Sequence, residues 1–121
     1  MAKAVKQHGR VYTPDYLVKD ILDFGGYDKP AILKKHVIDN SCGDGAFLME
    51  IVRRYCTSFL TQKQDLSKLK HELGTYIHGI ELDAVECDKC ILNLNKVVPD
   101  FVIASPKSFR QRVFQWVCVV S

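Results

Sequence analysis

The run Asp39-Asn40-Ser41-Cys42-Gly43-Asp44-Gly45 gathers two carboxylates, a hydroxyl, a thiol and two glycines. Glycine reaches backbone angles that other residues avoid, and it lets a ligand approach the main chain. Where such a run joins a strand to a helix, the first helical turn offers unpaired N–H groups. Ligands of open parallel sheets sit at the carboxyl ends of the strands. A dinucleotide would put its pyrophosphate at that helix start. Asp39 and Asp44 oppose this, because carboxylates beside a pyrophosphate repel it. Their charge suits a cationic or amine-bearing ligand.

A second acid strengthens that reading. The stretch Thr75-Tyr76-Ile77-His78-Gly79-Ile80-Glu81 reads as a strand ending in a carboxylate. An acid there can accept bonds from both hydroxyls of an adenosine ribose. S-adenosylmethionine combines an ammonium, a sulfonium and an adenosine. The loop's charge therefore favours it over NAD. A glycine turn alone is often only a turn, and Glu81 alone is often a solvated strand end. Their order along one chain is what carries the argument.

These residues need elements to position them. Thr13 can cap a helix whose first turn holds Pro14, with Leu17, Val18, Ile21 and Leu22 at helical spacing. Gly25-Gly26 ends it. Lys35 to Asp39 reads as a buried parallel strand. Ala46 to about Leu60 is helical through Phe47, Leu48, Ile51, Val52 and Tyr55. Thr61 to Gly74 is polar and lysine-rich and reads as an insertion, with a short surface helix through Leu66, Leu69 and Leu73. Asp83 to about Lys96 returns to helical spacing with Val85, Cys90, Ile91 and Leu94. Phe101 to Ala104 reads as a third strand. Helix, strand, helix, strand, helix implies an α/β fold with a parallel sheet. Residues 1–100 form the cofactor-binding part, and 101–121 a tail of no clear period.

The 121 residues fit one domain. A net charge of +3 permits a nucleic-acid partner without arguing for one. No apolar run is long enough for a bilayer, and Met1 to Lys6 lacks a signal peptide's apolar stretch. Five cysteines without regular spacing do not resemble a secreted disulfide framework. A cytoplasmic location is the expectation.

Val37-Ile38-Asp39-Asn40-Ser41-Cys42-Gly43-Asp44-Gly45-Ala46-Phe47-Leu48 closely resembles motif I of the amino-methylating DNA methyltransferases, D-P-[AS]-C-G-[ST]-G-x-F-L. Gly9-Arg10-Val11-Tyr12-Thr13-Pro14, followed by Leu17-Val18, resembles the motif these enzymes place before it. Ile80-Glu81-Leu82-Asp83 resembles motif II. The order resembles the γ type, typical of adenine-N6 methyltransferases of restriction–modification systems. The resemblance runs from about Gln7 to Lys96. It implies a partial Rossmann-like S-adenosylmethionine-dependent methyltransferase fold, preceded by an N-terminal helix, with double-stranded DNA as partner. By the same resemblance, Tyr12 and Thr13 approach the methionine end of the cofactor. Asp39, Ser41, Cys42, Gly43, Asp44 and Gly45 line its methionine and ribose. Glu81 holds the ribose hydroxyls, Leu82 flanks the adenine, and Phe47 and Leu48 pack the helix on the sheet. Asn40 replaces the usual proline, and Asp44 a small hydroxyl residue.

The chemical step is where the resemblance stops. Such enzymes flip the target adenine from the duplex and hold it with a [DNS]-P-P-[YFW] motif that positions the amine for attack. The nearest candidate is Asp100-Phe101-Val102-Ile103-Ala104-Ser105-Pro106-Lys107-Ser108. Ser105 and Pro106 match, whereas Lys107 and Ser108 do not. The sequence after Lys96 or Pro99 leaves the family pattern, as a premature stop or frameshift would cause. The expectation is a fragment that holds the methyl donor without delivering the methyl group. Alternatives are a non-catalytic subunit completed by a second polypeptide, or a methyltransferase acting on RNA or protein. The Gly9–Pro14 motif favours DNA. Cys87-x-x-Cys90 lacks a second pair and reads as no metal site. Cys42 has no histidine beside it in sequence and reads as a packing residue. Arg53-Arg54 and the lysines from Lys63 to Lys70 read as solvated helix faces.

Overall fold

The computed structural model describes residues 5–7, 10–28 and 30–98. The expected third strand at Phe101–Ala104, the 101–121 tail, and Ser105 and Pro106 lie outside the described residues.

Two short strands open the chain, β1 (Val5–Gln7) and β2 (Arg10–Tyr12), paired antiparallel with Val5 opposite Tyr12. This pair was not anticipated; each strand is too short to show an alternating pattern. Helix α1 (Asp15–Phe24) follows. Its N-cap is Pro14 rather than Thr13, with no side-chain cap bond. Pro14 is held extended at ψ 148°, so its carbonyl is the first to accept, from Leu17 N–H at 3.0 Å and Val18 N–H at 3.1 Å. Gly25 caps the other end and Gly26 takes φ +83°, as the paired glycines foretold.

Strand β3 (Val37–Asp39) lies parallel to β4 (Ile77–Gly79), in register Val37 to Ile77 and Asp39 to Gly79. The chain is thus mixed helix and strand with a short parallel sheet, compatible with a partial α/β fold. Both strands are shorter than expected. Burial of the first also fails at Ile38, which is 58% exposed. Successive strand side chains point to opposite faces, and the face that Ile38 occupies is open.

Helix α2 (Ala46–Thr61) is the centre of the core. Leu48, Val52, Tyr55 and Phe59 recur at three- and four-residue spacing and are fully buried. Each such side chain contributes roughly 1.5–3 kcal/mol of apolar transfer energy. Helix α3 (Leu69–Tyr76) and helix α4 (Ala84–Val97) pack on α2. The lysine-rich insertion is therefore more than a surface helix: Leu69 and Leu73 are fully buried, and only Leu66 stays outside. The buried carboxylate of Glu72 on that face accepts the Tyr55 hydroxyl at 2.5 Å. Because α3 continues through Tyr76, it takes Thr75 and Tyr76 from the expected strand. On α4, Cys87, Cys90 and Leu94 face inward, whereas Val85 is 63% exposed. Among the described residues, no helix is long and apolar enough to cross a membrane.

Candidate functional site

The loop after β3 turns at once. Asp39 Oδ1 accepts the Ser41 N–H at 3.1 Å, a local turn that aspartate favours. Gly43 and Gly45 take φ +54° and +97°, which side chains with a Cβ rarely adopt. Gly45 is the N-cap of α2, and its carbonyl accepts the Met49 N–H at 2.7 Å. The glycine spacing thus turns the chain from the strand end into the helix.

Three neighbours fix this loop from outside it. The parallel ladder extends past the strands, with Ile80 N–H donating to Asp39 C=O at 2.8 Å and Cys42 N–H to Ile80 C=O at 3.0 Å. Glu81 Oε1 accepts the Gly43 N–H at 2.9 Å, and its Oε2 accepts the Asp83 N–H at 2.9 Å. From α4, Asn93 Nδ2 donates to the Asp44 carbonyl at 2.9 Å. Asp83 in turn caps α4, its Oδ1 accepting Val85 N–H at 2.9 Å and Glu86 N–H at 3.1 Å. Glu81 is 7% exposed, so the solvated strand end that a lone acid suggests is not what it is.

Close packing explains two of the small residues. A Cβ on Gly79 would stand 2.6 Å from Leu48 Cδ1 and 3.2 Å from Cys42 Sγ. A Cβ on Gly45 would stand 3.0 Å from Cys90 Sγ. Cys42 is buried and packs beside Gly79.

Beside the loop lies a cavity of about 580 Å³, a size ordinary for a small-molecule site. Its walls include Thr13, Asp15 and Lys19 from the start of α1, Asp39, Ser41, Cys42, Gly43 and Asp44 from the loop, and Phe47, Glu50 and Arg53 from α2. Thr13 thus lines the same cavity as the loop. Leu48 packs on Gly79, while Phe47 lines the cavity instead of serving only to pack the sheet. Gly45 and Glu81 stand behind the wall, and Leu82 is 64% exposed outside it. Tyr12 ends β2, one residue before Thr13.

The cavity has an acidic floor. Asp15, Asp39, Asp44 and Glu50 line it together with Lys19 and Arg53, and Arg53 is ion-paired to Glu50. Burial pushes the Asp39 carboxyl above its ordinary value; the Ser41 N–H pulls the other way, and Glu81 raises it further. Burial also pushes Glu50 up, but hydrogen bonds from Arg54 and Arg53 outweigh it and hold the carboxyl below its usual range. So Glu50 is already neutralised by cations, while half-buried Asp39 has no ion pair among the described residues. A positively charged group entering the cavity meets Asp39.

Sequence reasoning missed Asp15, Lys19, Glu50, Asn93 and Cys90. The one signal available was the spacing of Glu50 with Arg53 and Arg54, which puts the three on neighbouring helix positions. Arg54 is accordingly not a solvated residue: its side chain is 15% exposed and bonds Glu50 Oε2 at 2.9 Å and Asp23 Oδ1 at 2.7 Å.

Over 113 residues the chain is 32% identical to the type II methyltransferase M.BstVI of Geobacillus stearothermophilus. The match covers 93% of this chain and 20% of that protein, so the chain spans about a fifth of its relative's length. No family model matches the chain. No solved structure matches it.

Proposed function

We propose that this chain is the S-adenosylmethionine-binding part of a DNA methyltransferase of the adenine-N6 type. The observation that carries the reading is the acid-floored cavity at the end of β3, in a chain similar to a type II methyltransferase. The relative's name supports methyl transfer and a restriction–modification setting; the motif order Gly9–Pro14, Asp39–Gly45 and Ile80–Asp83 supports the adenine-specific subtype and the Rossmann-like fold.

The donor set fits the cofactor. Asp39, half-buried and without an ion pair among the described residues, suits a cationic methionine end. Thr13 lines the α1 side of the cavity, and the motif resemblance assigns it, with Tyr12 before it in the chain, to the same end. Ser41, Cys42, Gly43 and Asp44 line the cavity where methionine and ribose would lie, and Gly45 behind them shapes the turn. Glu81 fixes the loop by accepting the Gly43 and Asp83 N–H groups, and the resemblance of Ile80–Asp83 to motif II assigns it to the ribose hydroxyls. Exposed Leu82 offers an apolar face to the adenine ring. When bound, S-adenosylmethionine supplies an electrophilic methyl group to the acceptor amine. This chain's described residues bind and orient; the step at the base is assigned to residues beyond them, in this chain or a second polypeptide. DNA is the proposed acceptor.

Isothermal calorimetry of the chain with S-adenosylmethionine tests this directly. The expected result is binding by the native chain and a loss of about tenfold or more in Asp39→Asn, near the 1.5–3 kcal/mol of a charged hydrogen bond. Equal binding by both proteins would remove Asp39 from the site, and no binding by the native chain would end the proposal for this chain.

A further inference from the structure

One cation that lines the cavity, Lys19, makes no ion pair among the described residues. It belongs to a face of α1. Asp15, Val18 and Lys19 all line the cavity, and they stand at i, i+3 and i+4. Val18 is 2% exposed, so this face is the one turned into the protein. Arg54 fastens it there, donating to the Lys19 carbonyl at 3.4 Å and pairing with Asp23 at 2.7 Å. Lys19 lies one turn beyond Asp15, roughly 6 Å along the helix axis.

The cavity's charges do not cancel in pairs. Its other cation, Arg53, is ion-paired to Glu50. The acids one helical turn either side of Lys19 are Asp15 and Asp23. Asp23 is held by Arg54. Asp15, Asp39 and Asp44 make no ion pair among the described residues. These three carboxylates and one ammonium are therefore left to a ligand. A complementary ligand carries positive charge together with an anionic group, and an α-amino acid has both on one carbon.

We propose that Lys19 receives the α-carboxylate of the cofactor's methionine part and sets the preference for ligands that keep that carboxylate. The proposal rests on the S-adenosylmethionine reading of the cavity. A lysine ammonium is a compact charge on a flexible stem with several N–H donors. Those donors make charge-assisted hydrogen bonds to carboxylate oxygens. Asp39, without an ion pair of its own, takes the ammonium, so both groups of the amino acid meet opposite charge. Arg53 suits the role less. Binding a ligand carboxylate would draw it from Glu50, which is 9% exposed and would lose one of its two arginines. Separating a buried pair in this way is costly. Lys19 gives up no partner when it binds.

The test is calorimetry of the native chain, Lys19→Met and Lys19→Arg with two ligands. One is S-adenosylmethionine. The other is its decarboxylated form, which keeps the amine, the sulfonium and the adenosine. Lys19 is exposed, so replacing it leaves the core intact, and methionine keeps an unbranched stem without the charge. In Lys19→Met the ratio of the two affinities should shift about fivefold against S-adenosylmethionine, the upper range for an exposed ion pair. In Lys19→Arg it should stay near the native ratio. An unchanged ratio in Lys19→Met would overturn the proposal. So would a gain for both ligands alike, which would show that Lys19 only offsets the cavity's acids. Loss of both alike would overturn it too, because a carboxylate contact cannot account for the second ligand. Binding of neither ligand by the native chain would instead end the cofactor reading of the cavity, and this proposal with it.

Discussion

Glu81 Oε1 accepts the Gly43 N–H at 2.9 Å, joining the end of β4 to the glycine loop across 38 residues of sequence. Its other oxygen holds the Asp83 N–H that precedes α4. One buried carboxylate therefore ties together the loop, the strand end and the next helix.

Glu81→Ala should cost about 1–3 kcal/mol of stability, since it leaves two backbone donors without their acceptor. Glu81→Gln, which keeps one oxygen acceptor, should lose less stability but still lose S-adenosylmethionine affinity by roughly tenfold or more. Urea unfolding and calorimetry on the same two proteins separate these effects. Unchanged unfolding midpoints in Glu81→Ala would mean that the Gly43 contact contributes nothing.

Asp39 carries a pH dependence of definite sign. Its folded-state carboxyl lies above its ordinary value, so the unfolded chain ionises first. Stability from this group is greatest below the ordinary carboxylate range, near 4, and falls as pH rises through the raised folded value. At pH 7 Asp39→Asn should therefore be slightly more stable than the native chain, because its amide oxygen can still accept the Ser41 N–H. The same variant should bind S-adenosylmethionine worse. Cofactor affinity of the native chain should fall as pH drops through the Asp39 titration. A flat affinity between pH 7 and pH 4 would separate Asp39 from the ligand's charge.

Gly79 should tolerate no Cβ. Alanine there would stand 2.6 Å from Leu48 Cδ1 and 3.2 Å from Cys42 Cβ and Sγ. Leu48 is fully buried, so any shift of its Cδ1 must displace packed neighbours. Gly79→Ala should cost about 1–3 kcal/mol, as overpacked cores do, seen as a lower urea midpoint. A midpoint equal to the native chain's would show that Leu48 repacks freely.

Much of this architecture was legible because local signals agreed. Gly25-Gly26, the Gly43 and Gly45 turn and the stripe Leu48, Val52, Tyr55 each announce their element without help from distant sequence. The loop's acids, Asp39 and Asp44, line the cavity beside that turn. The rest depends on partners far along the chain. Leu69 and Leu73 look like surface positions in a lysine-rich segment until Glu72 finds Tyr55. The short strands β1 and β2 have too few residues for a period of two to register. Cys90 has no local feature that would point to Gly45, and Glu81 none that would point to Gly43. Such contacts arise when helix α4 docks, and no window of sequence holds both members.

The ion-pair cluster on α2 should hold one wall of the cavity in place. Arg54 donates to Glu50 Oε2 at 2.9 Å, to Asp23 Oδ1 at 2.7 Å and to the Tyr27 carbonyl at 3.2 Å. Those contacts fasten the end of α1 to α2, and the start of α1 supplies Asp15 and Lys19 to the cavity. Hydrogen bonds from the arginines outweigh burial and hold Glu50 below its usual range. Its contribution is therefore present above the ordinary carboxylate value, near 4.3, and is lost as pH falls through the lower folded value. Glu50→Gln should be about 2 kcal/mol less stable than the native chain at pH 7, the scale of a charged hydrogen bond. The gap should narrow at pH 3. Parallel urea titrations at the two pH values read this out. A gap of the same size at both would assign the loss to packing and not to the charge on Glu50.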